Sequence, residues 1–342
     1  MAMQHCRYQS RLIAYLQSLE ISRGCDFTLM DVGASGGIED IWRQFEPNLQ
    51  GVGFDPLVSE INRLNDVENN PRFKYVDAWL TCENDGVASA IDNKGYGNNQ
   101  SFHQTSAQKA ADLMSLNYTE QYFNSGSAVV HSSHRMSLDT YLVQDERYNV
   151  DFLKVDTDGH DYFVLRGAEK LLSQGDVIGV QVECQFHGSL HPHASIFSNI
   201  DLYLRGLGFT LFDLDCWHYT NAALPGEFYY RIPAQTRQGQ VQWCDALYVR
   251  GIDVESAYTD KWIAHNNHHK LLKMMMVLGL FGQEDSVAGL VQKLVKQNYV
   301  IPGVDYKTVL NLLVPDNPWG INDYDSYMAK FQENPGNFYP PE

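Results

Sequence analysis

Carboxylate and imidazole side chains follow two apolar runs of this 342-residue chain, and side chains of this kind can move protons. Asp156, Asp158 and His160 come directly after one run, and Glu183 and His187 stand at and beyond the end of another. If both runs are neighbouring strands of a parallel sheet, the two groups lie at one rim. Histidine most often serves as a general base, which favours His160 and His187. The candidate catalytic residues are Asp156, Asp158, His160 and His187.

Structural roles and a metal site are the alternatives for these side chains. Acids favour helix N-termini, so Asp158 and Asp161 could cap the helix predicted to begin at Tyr162, and we interpret Asp161 as a cap. A histidine can also simply hydrogen-bond a neighbouring carboxylate. By ligand type, Asp158, Glu183 and His187 suit a divalent metal. No local spacing requires one, and we predict no metal site.

A glycine-rich turn is the second chemical feature. The apolar run 27–32 leads into the stretch Asp31–Gly37 (Asp-Val-Gly-Ala-Ser-Gly-Gly), and a helical pattern follows. Glycine lets the backbone turn sharply and approach a ligand closely, and the amides of a following helix then face that ligand. Asp55, after the next apolar run, can accept hydrogen bonds from two ribose hydroxyls. The turn therefore predicts a nucleotide cofactor, with an ordinary tight turn as the alternative.

The glycine spacing distinguishes two cofactor classes. The dinucleotide fingerprint G-x-G-x-x-G would need glycine at 33, 35 and 38, but positions 35 and 38 are Ser and Ile. S-adenosylmethionine enzymes use a looser acid-x-Gly-x-x-x-Gly turn, which Asp31, Gly33 and Gly37 satisfy. Asp77 and Ala78, at the end of a third apolar run, could bracket an adenine.

Alternating apolar runs and helical patterns describe the elements that must position these groups. The alternation predicts βαβ units and therefore a seven-stranded, mostly parallel sheet with helices on both faces. The predicted strands are 27–32, 51–55, 73–79, 152–156, 177–183, 209–214 and 243–249.

The domain organisation follows from where this alternation begins, breaks and stops. Residues 1–26 are predicted to form an N-terminal helix, and residues 27–251 the α/β domain, with an irregular insertion at 86–134. Residues 252–342 read as a helical appendage with helices at 262–280 and 287–295, then 306–313 and a Pro- and Asn-rich tail. Short helices need a packing partner. We expect the appendage to join two copies of the chain, with a lid over the acceptor site as the alternative.

Composition and charge exclude several partners. Lys and Arg number 25 against 42 Asp and Glu, a formal charge of −17, and no basic cluster interrupts this acidity. Nucleic acid and anionic membrane surfaces are therefore not expected partners. The six cysteines show no C-x-x-C pair, and neither a signal peptide nor a membrane span is evident. We expect a reduced, cytoplasmic protein.

A series of short motifs runs through the chain in a fixed order. They are Asp-Val-Gly-Ala-Ser-Gly-Gly at 31–37, Phe-Asp-Pro at 54–56, Ser-Leu-Asp at 137–139, Asp-Phe-Leu-Lys-Val-Asp-Thr-Asp-Gly-His-Asp at 151–161, Leu-Arg-Gly-Ala at 165–168, Val-Glu at 182–183 and Leu-Gly-Phe at 207–209. Together they resemble the FkbM family of class I S-adenosylmethionine-dependent methyltransferases. The resemblance covers about residues 27–250 and implies a Rossmann-like α/β fold.

The resemblance also implies roles for particular residues. Asp156 would lie near the transferred methyl group. The family commonly carries Glu in place of Asp55 and of Asp158, and both exchanges keep the carboxylate while shortening its reach. The cofactor-binding residues would be Asp31, Gly33, Ala34, Ser35 and Gly37 at the methionine end, Asp55 at the ribose, and Asp77 with Ala78 at the adenine.

The function that the resemblance implies is methyl transfer from S-adenosylmethionine to a hydroxyl oxygen of a saccharide or related polyhydroxylated acceptor. One alternative is a nicotinamide-dependent Rossmann-type oxidoreductase, which would also use Asp55 but needs the missing glycine fingerprint. The other is a non-catalytic assembly protein, which would have no need to retain Asp31, Asp55 and Asp156 together.

Overall fold

The computed structural model describes residues 10–82, 134–145, 149–174, 176–186, 191–219, 227, 235–250, 263 and 267–339. The chain divides into two units. The first consists of Met1–Phe27, Glu39–Asn48 and Gly251–Glu342, and the second of Thr28–Ile38 and Leu49–Arg250. The insertion predicted at 86–134 lies outside the described residues except for His134.

A large sheet organises the second unit. The strands are β1 (Phe27–Val32), β2 (Leu49–Asp55), β3 (Phe73–Asp77), β6 (Phe152–Val155), β7 (Gly179–Gln185), β8 (Phe209–Tyr219), β9 (Gln235–Thr236) and β10 (Gln240–Arg250). They follow the order β3-β2-β1-β6-β7-β10-β8-β9 across the sheet. Parallel pairing joins β2 to β3, β1 to β6 and β6 to β7, and β10 runs antiparallel to β7 and β8. The predicted seven-stranded, mostly parallel sheet is confirmed, and the two-residue β9 adds an eighth strand at its edge.

A second, two-stranded sheet pairs β4 (Trp79–Leu80) with β5 (Arg135–Met136) in parallel. Helix α3 (Leu138–Gln144) follows β5, and the Ser137 side chain caps it by accepting a hydrogen bond from the Thr140 amide. The helices of the second unit are α2 (Val58–Val67), α3 (Leu138–Gln144), α4 (Asp161–Gly167), α5 (Glu169–Ser173) and α6 (Phe197–Gly206).

Side-chain alternation along the strands separates the face of the main hydrophobic core from a second face. Val180, Val182 and Cys184 of β7 belong to the main hydrophobic core, as do Cys244 and Ala246 of β10. Successive strand residues point to opposite faces. Glu183 and Asp245, which lie between them, are therefore on the face opposite this core.

The first unit is helical. Its α-helices are α1 (Arg11–Ser18), α7 (His268–Leu280), α8 (Glu284–Lys296), α9 (Tyr306–Leu312) and α10 (Tyr324–Glu333). Helix α7 is buried over nearly its whole length, which explains the methionine run Met274–Met276 as packing. Helix α1 lies against α7, where Leu12 contacts Gly279 so closely that a Cβ there would be 3.0 Å from the leucine. The predicted C-terminal helices are therefore present, and they share a core with the N-terminal helix.

The segment between β1 and β2 departs from the sequence prediction. The pattern Ile38, Ile41, Trp42, Phe45 predicts a helix, and the structure has a short 3-10 helix at Asp40–Phe45 in the first unit. Trp42 and Phe45 are fully buried, and the Trp42 ring lies 5.7 Å from that of Phe281. Its apolar residues therefore serve the helical unit. Among the described residues, no helix is both long and apolar enough to cross a membrane.

Candidate active site

The glycine turn after β1 packs directly against the end of β6. Gly33 has a φ of +89°, and a Cβ at this position would lie 1.7 Å from the backbone oxygen of Asp156. The amides of Gly33 and Ala34 both donate to the Phe54 carbonyl at the end of β2, at 2.8 and 3.0 Å. Only glycine tolerates this combination of positive φ and close approach. The turn thus joins the carboxyl ends of three neighbouring strands.

The rest of the turn is held by helix α2 and strand β3. The Gly36 amide donates to Glu60 Oε1 at 3.0 Å, and Arg63 binds the same carboxylate. This hydrogen bond from Arg63 lowers the pKa of Glu60 and keeps it charged. A Cβ at Gly37 would meet Leu64 and the Tyr75 hydroxyl at 3.1 and 3.3 Å. The turn is therefore preformed, with a carboxylate already at one of its amides.

The three residues predicted to bind the ribose and adenine lie together at the ends of β2 and β3. Asp55 pairs in register with Asp77, and the Ala78 amide donates to the Asp55 carbonyl at 3.2 Å. Asp55 is buried, and its Oδ1 accepts from the Leu57 amide at 2.7 Å. The Asp77 carboxylate oxygen Oδ2 also lies 3.6 Å from His134 Nδ1. The topology brings these residues together, and their contact with a cofactor stays a prediction.

Lys154 is a site residue that the sequence analysis missed. Its side chain is 6% exposed, and Nζ lies 3.5 Å from Asp31 Oδ1 and 3.4 Å from Asp156 Oδ2. A buried lysine needs such partners because its charge is costly to desolvate. Asp31, predicted to line the cofactor, is also a counter-ion of this lysine. A charged residue inside the apolar run Phe152–Val155 was the available signal.

The loop after β6 is tied together by Asp161. This fully buried carboxylate accepts hydrogen bonds from the amide and hydroxyl of Thr157 and from the Gly159 amide. Burial raises its pKa to about 7. Helix α4 begins at Asp161, one residue before the predicted start, and its carboxylate binds groups that precede the helix. The interpretation of Asp161 as a helix cap is therefore wrong, because it holds the loop that carries Asp158.

The candidate base His160 lies against β4 and α4. Its Nε2 is 2.9 Å from Thr81 Oγ1, and its ring stacks on Phe163 at 5.0 Å. Trp79 packs edge-on against the same ring. The other candidate base, His187, lies outside the described residues. A catalytic role for either histidine stays a prediction.

Four carboxylates form a row across the sheet that we call the acidic row: Asp156, Glu183, Asp245 and Asp215. Glu183 pairs in register with Asp245, and Asp245 pairs in register with Asp215. Val155 pairs with Val182, so Asp156 and Glu183 are the next residues along β6 and β7. Residues opposite each other share a face of the sheet. This row lies on the face opposite the main hydrophobic core, beside the Lys154 ion pairs.

Burial and mutual repulsion raise the pKa values of three carboxyl groups here, those of Glu183, Asp245 and Asp158. The pKa of Glu183 lies well above its ordinary value because of burial and then the charges of Asp156 and Asp161. Burial, followed by Asp156, raises the pKa of Asp245 to about 7. The pKa of Asp158 is raised by desolvation and then by Asp156 and Asp55.

The metal hypothesis has no preformed site to support it. Within the ranges that the structure describes, no group of three or more His, Cys, Asp or Glu side chains is arranged to hold a metal ion. His187, one of the three hypothetical ligands, lies beyond those ranges.

A cavity of about 520 Å³ lies beside His160, between helices α3, α4 and α5. Phe163, which stacks on His160, lines it together with Tyr162 and His193. Asp139 and Arg166 add charged groups to the same wall. The lining thus combines aromatic rings with one negatively and one positively charged side chain that can form hydrogen bonds.

Comparison with known proteins identifies a domain in the middle of the chain. Residues 44–211 match the family model described as the methyltransferase FkbM domain. This confirms the resemblance drawn from the motifs. No curated protein matches the chain.

Two solved structures resemble the chain in part. One is a TehB-like SAM-dependent methyltransferase from Corynebacterium glutamicum, with 9% identity and a TM-score of 0.27, covering 71% of this chain and 87% of that one. The other is a 16S rRNA (adenine(1408)-N(1))-methyltransferase from Catenulisporales acidiphilia, with 13% identity and a TM-score of 0.27, covering 70% of this chain and 94% of that one.

Proposed function

From the match of residues 44–211 to the methyltransferase FkbM domain, we propose that the chain is a methyltransferase that uses S-adenosylmethionine as methyl donor. The proposed acceptor is a hydroxyl oxygen of a saccharide or related polyhydroxylated compound. The observation that carries this proposal is the contact between the glycine turn at Gly33 and the backbone of Asp156 at the end of β6. Because a Cβ at Gly33 would overlap the Asp156 carbonyl, a ligand on the turn lies beside the acidic row.

The residues at the strand ends fit the proposed donor. Gly33 provides a close backbone approach, and Asp55 offers a buried carboxylate next to Asp77 and Ala78. The donor is a cation, so an acidic rim favours its binding, and the charge of the neighbouring Lys154 is offset by Asp31 and Asp156. The proposed donor-binding residues are Asp31, Gly33, Ala34, Ser35, Gly37, Asp55, Asp77 and Ala78.

The donor supplies an already activated methyl group, so the chain mainly has to align the acceptor and remove its proton. Asp161 fixes the loop that carries Asp158, and Lys154 fixes the carboxylate of Asp156. Rigid placement of this kind keeps the reacting groups within the short distances that transfer requires. Asp156, Asp158, His160 and His187 are the groups proposed to surround the acceptor hydroxyl.

The saccharide class rests on the family resemblance, since members mostly methylate sugar hydroxyls, and on the cavity beside His160. Its aromatic residues Tyr162 and Phe163 offer flat apolar faces, and Asp139 and Arg166 can bind hydroxyl groups.

The helices of the first unit are proposed to join two copies of the chain, with a lid over the acceptor site as the competing role.

Labelled methyl transfer tests the proposal directly. The chain is incubated with S-adenosylmethionine carrying an isotope-labelled methyl group and a panel of methyl glycosides, and products are analysed by mass spectrometry and NMR. We expect a labelled O-methyl group on at least one glycoside. Label on nitrogen or carbon of other acceptors, with none on the glycosides, would refute the acceptor class.

Thermal unfolding with separate ligands discriminates the oxidoreductase and the non-catalytic alternatives. A ligand of the native state raises the unfolding temperature by mass action. We expect S-adenosylhomocysteine to raise it and NAD to leave it unchanged. A shift with NAD alone favours the oxidoreductase, and a shift with neither favours an assembly protein.

A further inference from the structure

We propose that Glu183 is the group that accepts the proton of the acceptor hydroxyl, a role that rests on the proposed methyl transfer. Glu183 is not among the four catalytic residues predicted from the sequence. Its position in the sheet and its buried carboxylate oxygen without a partner among the described residues both support the assignment.

Glu183 occupies the middle of the acidic row. It lies on β7 directly opposite Asp245 of β10, and Asp156 stands at the corresponding position after β6. Asp156 in turn contacts the glycine turn through its backbone oxygen. Glu183 is therefore one strand away from the residue that touches the proposed donor site, on the carboxyl-end rim where ligands of such sheets bind.

One carboxylate oxygen of Glu183 has no partner. Its Oε2 atom is buried and finds no hydrogen-bond partner among the described residues. Buried polar atoms are almost always paired, and an exception calls for an explanation such as a catalytic role or a ligand. An acceptor hydroxyl is a matching partner because a carboxylate oxygen can only accept and a hydroxyl can donate.

Several other groups at the rim already have an atom engaged. Asp161 accepts hydrogen bonds through both oxygens from the amides of Thr157 and Gly159. Asp156 Oδ2 lies 3.4 Å from Lys154 Nζ, and His160 Nε2 lies 2.9 Å from Thr81 Oγ1. An atom that already accepts a hydrogen bond must release it before it can take a proton. Glu183 Oε2 needs no such exchange.

The charges around Glu183 suit a proton acceptor. Asp156, Asp161, Asp158 and Asp245 all raise its pKa, after burial as the first cause. A carboxylate with a raised pKa is a stronger base, and general bases work best when their pKa lies near the operating pH. Binding of the cationic donor beside this row favours the deprotonated form that the step requires.

Methyl transfer breaks the acceptor O–H bond, and the proton goes to Glu183 Oε2 while the oxygen forms a bond to the methyl carbon. The carbon–sulfur bond of the donor breaks, and its electron pair stays on sulfur. The products are a methyl ether, neutral S-adenosylhomocysteine and a protonated Glu183.

The test compares Glu183→Gln with Glu333→Gln. Glutamine keeps the size of glutamate but cannot accept the proton, and Glu333 is an exposed residue of α10 paired with Lys330. The acceptor is the glycoside that the labelling screen identifies, and binding of S-adenosylhomocysteine is measured by calorimetry. We expect Glu183→Gln to lower kcat at least about 100-fold, in the range of general-base catalysis. Its affinity for S-adenosylhomocysteine should stay within about threefold, and Glu333→Gln should resemble the parent protein.

The pH profile and the unfolding temperature separate catalysis from structure. We expect the rate limb governed by the base to disappear in Glu183→Gln, while its unfolding temperature at pH 8 is not below that of the parent. Activity within about fivefold of the parent would overturn the role of Glu183 alone. A lower unfolding temperature together with lost S-adenosylhomocysteine affinity would also overturn it, because Glu183 would then be structural. If the parent methylates no glycoside, the proposed function itself fails.

Discussion

At the scale of single residues, Gly33 has the least freedom of any position in the candidate site. Two separate constraints act there, a positive φ and the contact with the Asp156 carbonyl. Gly36 shares the positive φ, at +88°, but a Cβ there would meet nothing within 4 Å. The pair therefore separates backbone strain from steric overlap.

We expect Gly33→Ala to destabilise the protein more than Gly36→Ala. The φ strain common to both variants costs about 1–2 kcal/mol. Overlap with the Asp156 backbone adds on the order of a further 2 kcal/mol, as overpacking does. Urea denaturation gives both free energies of unfolding. Equal losses in the two variants would show that the turn moves away from Asp156 without cost.

Asp55→Ala should weaken binding of S-adenosylmethionine. Each charge-assisted hydrogen bond to a ribose hydroxyl is worth about 1.5–3 kcal/mol, so at least a tenfold loss of affinity is expected. The matched control is Asp66→Ala, an exposed residue of the nearby helix α2. Calorimetry measures both. Unchanged affinity in a folded Asp55→Ala variant would remove Asp55 from the cofactor site.

The residues of the candidate site differ in how far the sequence could reveal them. Gly33, Asp55 and Asp77 follow apolar runs, and one edge of a parallel sheet gathers such residues. Lys154 and Asp245 lie inside strands and could not be found in this way. Asp31 and Glu183, which face them, come from other strands, and no local sequence pattern gives the strand order and register that bring these residues together.

At the scale of elements, strands with uniform burial were predicted most closely. Strand β1 has the predicted bounds, and all its residues are buried. Strand β8 extends five residues beyond its predicted end at 214, because Asp215 and His218 interrupt the apolar pattern while the pairing with β10 continues. Helix α10 was not predicted within the tail, because Pro and Asn residues surround it and none of its residues is buried, although Tyr324, Tyr327, Met328 and Phe331 stand at helical spacing.

The acidic row makes the sheet itself sensitive to pH. The folded protein holds the proton of Asp245 up to about pH 7, because burial and then Asp156 raise its pKa to about 7, whereas the unfolded chain releases it near about pH 4. Lys154 acts in the opposite direction, and Asp215 adds to the repulsion. Stability at this position is therefore lost as the pH rises from about 4 through about 7.

Asp245→Asn should remove this loss. The stability gain of the variant over the parent should grow between pH 5 and pH 8, reaching about 1–3 kcal/mol. Thermal unfolding at both pH values measures it, with Asp66→Asn as the exposed control. A variant that is less stable than the parent at pH 8 would mean that the Asp245 carboxylate has a stabilising partner.

At the scale of the whole molecule, the helical unit is assembled from three separate stretches of chain. Leu12 packs against Gly279, and Trp42 packs against Phe281. Removing residues 252–342 therefore takes away part of the core of residues that remain. This bears on any truncation meant to separate a dimer contact from a lid.

We expect a chain ending at residue 251 to aggregate or to unfold at a much lower temperature than the parent. A chain ending at residue 321 loses only α10 and the 3-10 helix after it, which contain no buried residue, and should unfold within about 2–4 °C of the parent, the shift for about 1 kcal/mol. Light scattering and thermal unfolding report both. A monodisperse, stable chain of 251 residues would show that the N-terminal segments need no C-terminal partner.

The split of the helical unit also sets an order of events on the ribosome. Helix α1 and the Asp40–Phe45 segment are made first, but α7, which completes their core, begins at His268. At about 5–20 residues per second, the intervening 268 − 45 = 223 residues take roughly 11–45 s to synthesise. For that time Leu12 and Trp42 lack the side of their core that α7 provides, and a nascent chain in this state is a natural client for a holding chaperone.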